Sequence, residues 1–177
     1  MLRRCTIPVM AREGDAVDAI SRQWQALRPG LDLSTLELVG RLLRAAALVD
    51  RETGTFLGEL GLSRGEFDTL AALRRARTPQ TPGSLRTVTL VSAAAVTKQI
   101  ASLQRSGLVE RSPNPADGRG ALISLTPAGV RVIDDAFPQV LAIEQRMLGG
   151  LSAAQHARAV TALRQILASA EGVSHSG

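Results

Sequence analysis

Residue types that do covalent chemistry are scarce in this sequence, and those present are poorly spaced for it. There are two histidines, His156 and His175, and one cysteine, Cys5. No C-x-x-C or H-x-x-x-H spacing offers a metal site. No Ser/His/Asp set, carboxylate dyad or phosphate-cradling glycine loop emerges. We therefore expect neither an enzyme nor a bound cofactor. Cys5 falls in what reads as a loose tail, with nothing arranged to lower its pKa. What the sequence does space well is a set of cations and hydroxyls. In "SAAAVTKQIASLQRS" (92–106), Val96, Ile100 and Leu103 recur at i, i+4 and i+7 as one buried stripe. Ala93, Ala94, Thr97, Lys98, Ala101 and Arg105 lie beside and opposite it. Small residues allow another surface to come close, and the free N–H groups of a helix start suit phosphate. Such a helix, capped by Ser92, can lie in a major groove with Thr97 and Lys98 near bases or phosphates. The competing reading is an ordinary amphipathic helix with an alanine-rich solvent face.

The stretch before it, "TPGSLRTVT", is a short helix whose Ser84, Arg86 and Thr87 can touch backbone phosphate. A tight "LVS" joint links the two, which is the helix–turn–helix pattern. After the second helix comes "RSPNPADGRG" (111–120), rich in Pro, Gly, Asn and Asp between two apolar runs. It reads as a turn, yet it is longer than the two to five or so residues that an ordinary hairpin uses.

These groups need positioning elements, and helix starts are written clearly. Ser34–Glu37 and Ser63–Glu66 are S-x-x-E capping boxes, and Ser152–Gln155 is a third. Thr81-Pro82 and Thr126-Pro127 place a cap before a proline at the first helical position. Asp15 can cap a short helix that ends near Pro29. The reading is seven helices, at 16–27, 35–60, 64–76, 82–88, 93–106, 127–148 and 153–170. Pro138 should kink the sixth. Two strands fit at 108–112 and 120–125. The fold class is mainly α with a small β-hairpin. We divide the chain into a flexible tail (1–14), N-terminal helices (15–61), a helix–turn–helix followed by the hairpin (62–125) and C-terminal helices with a tail (126–177).

With 177 residues and 45% apolar composition the chain can bury a real core. No apolar run approaches the ~20 residues of a membrane span, and no signal-like segment opens the chain, so a cytoplasmic protein is expected. Net charge is +5, and Lys98 is the sole lysine. An arginine-rich excess permits a nucleic-acid partner. The 2% of aromatics and the absence of tyrosine argue against a base-stacking platform for single strands or RNA.

From Leu62 to Ala128 the sequence resembles the winged helix–turn–helix core of the MarR family. The matching features are "LSRGEFDTLAALRRA", "TPGSL", Leu103, Gly107-Leu108-Val109, Arg111, Asp117-Gly118-Arg119, Leu125-Thr126 and Gly129. The resemblance implies a homodimeric regulator that binds double-stranded DNA at a near-palindromic site, with repression as the default. The apolar stripes in "LELVGRLLRAAALV" and "HARAVTALRQILASA" point independently to a dimer, because isolated helices cannot bury them. By the same resemblance the long turn is a wing. Arg119 is expected in or beside the minor groove, and Asp117 is expected to orient it. A winged-helix adaptor without specific DNA binding is the rival reading; retention of Lys98, Arg105 and Arg119 weighs against it. The family's usual effector is small and anionic or aromatic. The extra N-terminal helix with Trp24 is similar to the urate-responsive, PecS-like branch, whose ligand pattern matches at Trp24, Asp68 and Arg111. Gln99 stands where that branch has an arginine, which argues against urate itself.

Overall fold

The computed structural model describes residues 14–89, 92–115 and 117–174, with the side chains of 117–119 and 173–174 outside that description. Cys5 and His175 lie outside the described residues. The elements in chain order are α1 (Ala16–Leu27), α2 (Ser34–Glu59), α3 (Arg64–Ala76), α4 (Pro82–Thr89), α5 (Ala93–Arg105), β1 (Val109–Asn114), β2 (Asp117–Leu125), α6 (Pro127–Leu148) and α7 (Ala153–Ser174). The chain divides into two compact units, Met1–Asp50 and Arg51–Gly177.

In the first unit, Asp15 caps α1 by accepting the Val17 and Asp18 N–H groups, and Asp18 returns the bond to the Asp15 N–H. Arg41 on α2 bonds both carboxylates, so the start of α1 is held to α2 by charge. Val17 is buried, and one of its methyl groups fills the space left by Gly40. The start of α2 differs from the expected capping box. The Ser34 N–H goes to Asp32 Oδ1 at 2.9 Å, and the Glu37 N–H goes to the Leu33 carbonyl. Ser34 is therefore already inside the helix, because the aspartate two residues earlier took the capping role.

The second unit holds the core. Leu57, Leu70, Leu85, Val96, Leu103, Ile123, Ile133 and Val140 are almost wholly buried, and they come from α2, α3, α4, α5, β2 and α6. The apolar spacing of each helix thus converges on one centre. Ser63 and Glu66 form the expected capping box on α3. Thr81 accepts the Ser84 N–H at 3.1 Å, and Thr126 accepts the Gly129 N–H at 3.1 Å. Ser152 and Gln155 form the third box ahead of α7. The sixth helix is a single element through Pro138.

Two motifs explain the turns. Gly107 has φ +68°, the Leu108 N–H reaches the Leu103 carbonyl at 2.9 Å, and the Gly107 N–H reaches that of Gln104. This is a Schellman stop for α5, which aims the chain straight into β1. Gly61 ends α2 in the same way, through Leu62 and Leu57.

The hairpin corrects the reading of a long turn. β1 extends to Asn114 and β2 begins at Asp117, so most of "RSPNPADGRG" is strand. Pro113 is tolerated because β1 is an edge strand. Register runs from Val109↔Leu125 to Pro113↔Ala121, then jumps to Asn114↔Asp117. Residues 118–120 fall in the resulting bulge. A short third segment joins this ladder: Gln80 and Ile123 exchange both backbone hydrogen bonds, at 2.9 and 2.8 Å. Among the described residues, no helix is long and apolar enough to cross a membrane.

Candidate nucleic-acid interface

The candidate interface is built on α5. Val96, Ile100 and Leu103 are buried at 1%, 6% and 1% exposure. They fix which side of the helix faces the core. Ala93, Ala94, Thr97, Lys98, Ala101 and Arg105 are exposed on the remaining surface. Ser92 caps the helix through the Ala95 N–H at 3.2 Å. Thr97 turns its hydroxyl back to the Ala93 carbonyl at 2.9 Å, which leaves its methyl outward. Of the next groups, Arg86 and Thr87 are exposed on α4, Thr87 bonding the Gly83 carbonyl at 3.3 Å. Ser84 is half-buried and spends its hydroxyl on Gln80 Oε1 and the Thr81 carbonyl. Among the described residues, Arg86, Lys98 and Arg111 enter no ion pair. Exposed cations outside ion pairs keep their full charge for an external anion.

The wing stands next in the chain. Its base is tied down: the Thr126 N–H reaches the Leu108 carbonyl at 3.1 Å, and the Thr126 hydroxyl reaches that of Gly107 at 2.7 Å. Gly129 completes the junction, because a Cβ there would collide with the Leu108 carbonyl oxygen. Ser124 bonds Glu110 across the ladder at 3.2 Å. Asp117 and Arg119 lie on β2, Arg119 in the bulge, while their side chains lie outside the described residues.

The residues expected at a ligand site have the following surroundings, each within its own unit. Trp24 sits on α1, 46% exposed, in the first unit. Asp68 is ion-paired with Arg64 at 3.1 Å. Gln99 is half-buried between α5 and α3, with Oε1 3.0 Å from Thr69 Oγ1. Arg111 is exposed on β1. A cavity of about 160 Å³ between α3 and α6 is lined by Ala71, Arg74, Arg75, Ile133, Asp134, Phe137 and Pro138, and by none of the expected residues.

Sequence reasoning missed Arg64 and the residues around it. Arg64 reaches Asp68, Glu144 on α6 at 3.5 Å and the buried Thr53 on α2 at 3.3 Å, and its guanidinium lies 5.8 Å from the Phe67 ring centre. Phe67 in turn stacks on Phe137. Beside it, partial burial pushes the Glu66 carboxyl up, but bonds from Ser102 and Ser63 and the nearby Arg105 charge outweigh this and hold it below the usual range. Only the Arg64–Asp68 spacing of four residues was visible in sequence.

Residues 60–120 match the MarR family. The transcriptional regulator PecS of Dickeya dadantii is 30% identical over 145 residues, which are 81% of this chain and 87% of that protein. A MarR variant from E. coli, solved in complex with operator DNA, superposes with a TM-score of 0.68 at 28% identity, over 76% of this chain and 97% of that one. Bordetella bronchiseptica BpsR, whose DNA binding is regulated by 6-hydroxynicotinic acid, superposes at 0.62 with 30% identity, over 73% and 98%.

Proposed function

The chain belongs to the MarR family, and from that premise we propose that it is a transcriptional repressor that binds a near-palindromic operator as a homodimer. The observation that carries this reading is the outer face of α5. It offers small side chains, the Thr97 methyl and a lone lysine in the N-terminal half of a capped helix whose other side is fixed in the core. A helix of that kind enters the major groove by its N-terminal half. Ser92, Ala94, Thr97 and Lys98 would meet bases and nearby phosphates. Ser84, Arg86, Thr87 and Arg105 would hold the flanking backbone. Arg119 in the bulge would enter the adjacent minor groove, with Asp117 fixing its direction. A bulge serves that role because it re-aims a side chain out of the ladder. The protein works where its DNA is, in the cytoplasm.

Residues 62–125 form the DNA-binding part, and the helices on either side, within 15–61 and 126–177, form the dimer. The exposed apolar residues of α2 and α7 support this division. Nothing observed favours an adaptor that ignores DNA.

A small anionic or aromatic effector that weakens DNA binding is the second part of the proposal, with Trp24, Asp68, Gln99 and Arg111 as the residues it would engage. A small aromatic acid regulates the related BpsR, which supports this class of compound. Gel-shift assays with the intergenic DNA beside the gene, set against a scrambled duplex of equal length, test the first part. Preferential retardation of the intergenic duplex is expected; equal retardation of both would refute operator recognition. Release of that DNA by aromatic acids tests the second. Effector potency that survives both Trp24→Phe and Asp68→Asn would remove those residues from the ligand site.

A further inference from the structure

We propose that a polar clamp between the first two turns of α3 and α5 sets the attitude of the DNA-reading helix, with Gln99 and Thr69 as its positioning residues; this rests on the DNA-binding reading above. The apolar stripe of α5 holds the helix against the core, but burial has no direction. Hydrogen bonds do. Thr69 is 1% exposed, and its Oγ1 lies 2.8 Å from the Gly65 carbonyl and 3.0 Å from Gln99 Oε1, so one hydroxyl hydrogen serves two acceptors. The Gln99 amide is seated where a side chain on residue 65 would be: a Cβ on Gly65 would collide with its Nε2. One turn further along α5 the half-buried Ser102 lies near Glu66 and helps hold its carboxyl below the usual range. Glu66 is itself fixed by the Ser63 N–H and hydroxyl, both at 2.7 Å. A directed bond at Gln99, with the Gln99 amide seated against Gly65, resists both rotation and sliding of the helix.

The position of Gln99 matters for the outer face. Lys98 precedes it directly, and Thr97 lies one residue further back. A rotation of α5 that broke the clamp would swing both residues away from a docked groove. The turn of α3 that makes the clamp is also tied on its other side, through Arg64 to Thr53 on α2 and Glu144 on α6.

The test uses the intact protein and a fluorescent intergenic duplex, with binding measured by anisotropy at several salt concentrations. Gly65→Ala is the central variant. It obstructs only the mobile end of Gln99, and alanine is the better helix former, so the fold is kept while the clamp opens. Gly65→Ala, Gln99→Ala and Thr69→Val are each expected to weaken specific binding roughly three- to tenfold, the range for one lost hydrogen bond. The dependence of log K on log salt should keep its slope, because no phosphate contact is removed. Thr69→Ser should bind as the unaltered protein does. The Gly65→Ala/Gln99→Ala pair should be no weaker than the weaker single variant, since both break one contact. Three outcomes would overturn the clamp: unchanged affinity in all three folded variants, a shallower salt slope, or a Thr69→Ser loss equal to that of Thr69→Val. An unaltered protein that binds no duplex would overturn the DNA reading itself, whereas indifferent variants of a DNA-binding protein overturn the clamp alone.

Discussion

A methyl group on Gly129 would occupy the space of the Leu108 carbonyl oxygen. That carbonyl accepts the Thr126 N–H and cannot move without undoing the base of the wing. Gly129→Ala is therefore expected to destabilise the fold by about 1–3 kcal/mol, the usual cost of overpacking; urea unfolding monitored by circular dichroism measures it. Other residues act on DNA alone. Arg119→Ala should leave unfolding unchanged, weaken operator binding and lower the salt slope by about one unit. An unaltered slope would remove Arg119 from the phosphate or groove contacts. Asp134 makes a third, pH-dependent case. Its hydrogen bonds from Arg74, at 2.7 and 2.8 Å, hold its carboxyl below the ordinary 3.8. A carboxyl depressed on folding stabilises above its unfolded value and loses that contribution as pH falls through the folded one. Asp134→Asn should thus lower the unfolding midpoint at pH 6, and the difference should shrink below about pH 4. A difference that does not shrink at all as pH falls below about 4 would contradict the ion-pair account.

Helix starts were legible because capping is local. Asp15, Ser63, Thr81, Ser92, Thr126 and Ser152 each cap within three residues of themselves. Ser34 misled for the same reason, since Asp32 lay just as close and won the N–H. The wing was legible as a hairpin but not in its length. Prolines and glycines argue for a turn, and only the partner strand shows that edge positions admit them. The Gln80 bridge was not legible, because one residue pair leaves no periodic trace. At the interface, the exposed face of α5 followed directly from its 3.6-residue period. Gln99 did not. Its role depends on a glycine 34 positions earlier in the chain and on a buried threonine, and no spacing rule connects them. Arg64 was hidden likewise, because its partners on α2 and α6 come together only in the fold.

At the scale of the whole molecule, apolar surface calls for a second copy. Leu43 on α2 is 65% exposed and Leu167 on α7 is 57% exposed. No residue of α7 whose side chain is described is buried. A lone amphipathic helix is marginal in water, so α7 needs a covering partner to persist. Leu43→Glu with Leu167→Glu should convert a dimer to a monomer in sedimentation velocity. It should also reduce operator affinity, because one half-site then binds alone. The central claim is that the outer face of α5 reads DNA, and one salt series on the intact dimer tests it most directly. Operator affinity is measured for the unaltered protein and for Lys98→Ala between about 50 and 200 mM salt, where counterion release dominates. The account predicts a steep fall of affinity with salt for the unaltered protein. It predicts weaker binding for Lys98→Ala, with a slope shallower by about one unit per lost phosphate contact in each half-site. Identical affinity and slope for the two proteins would contradict it.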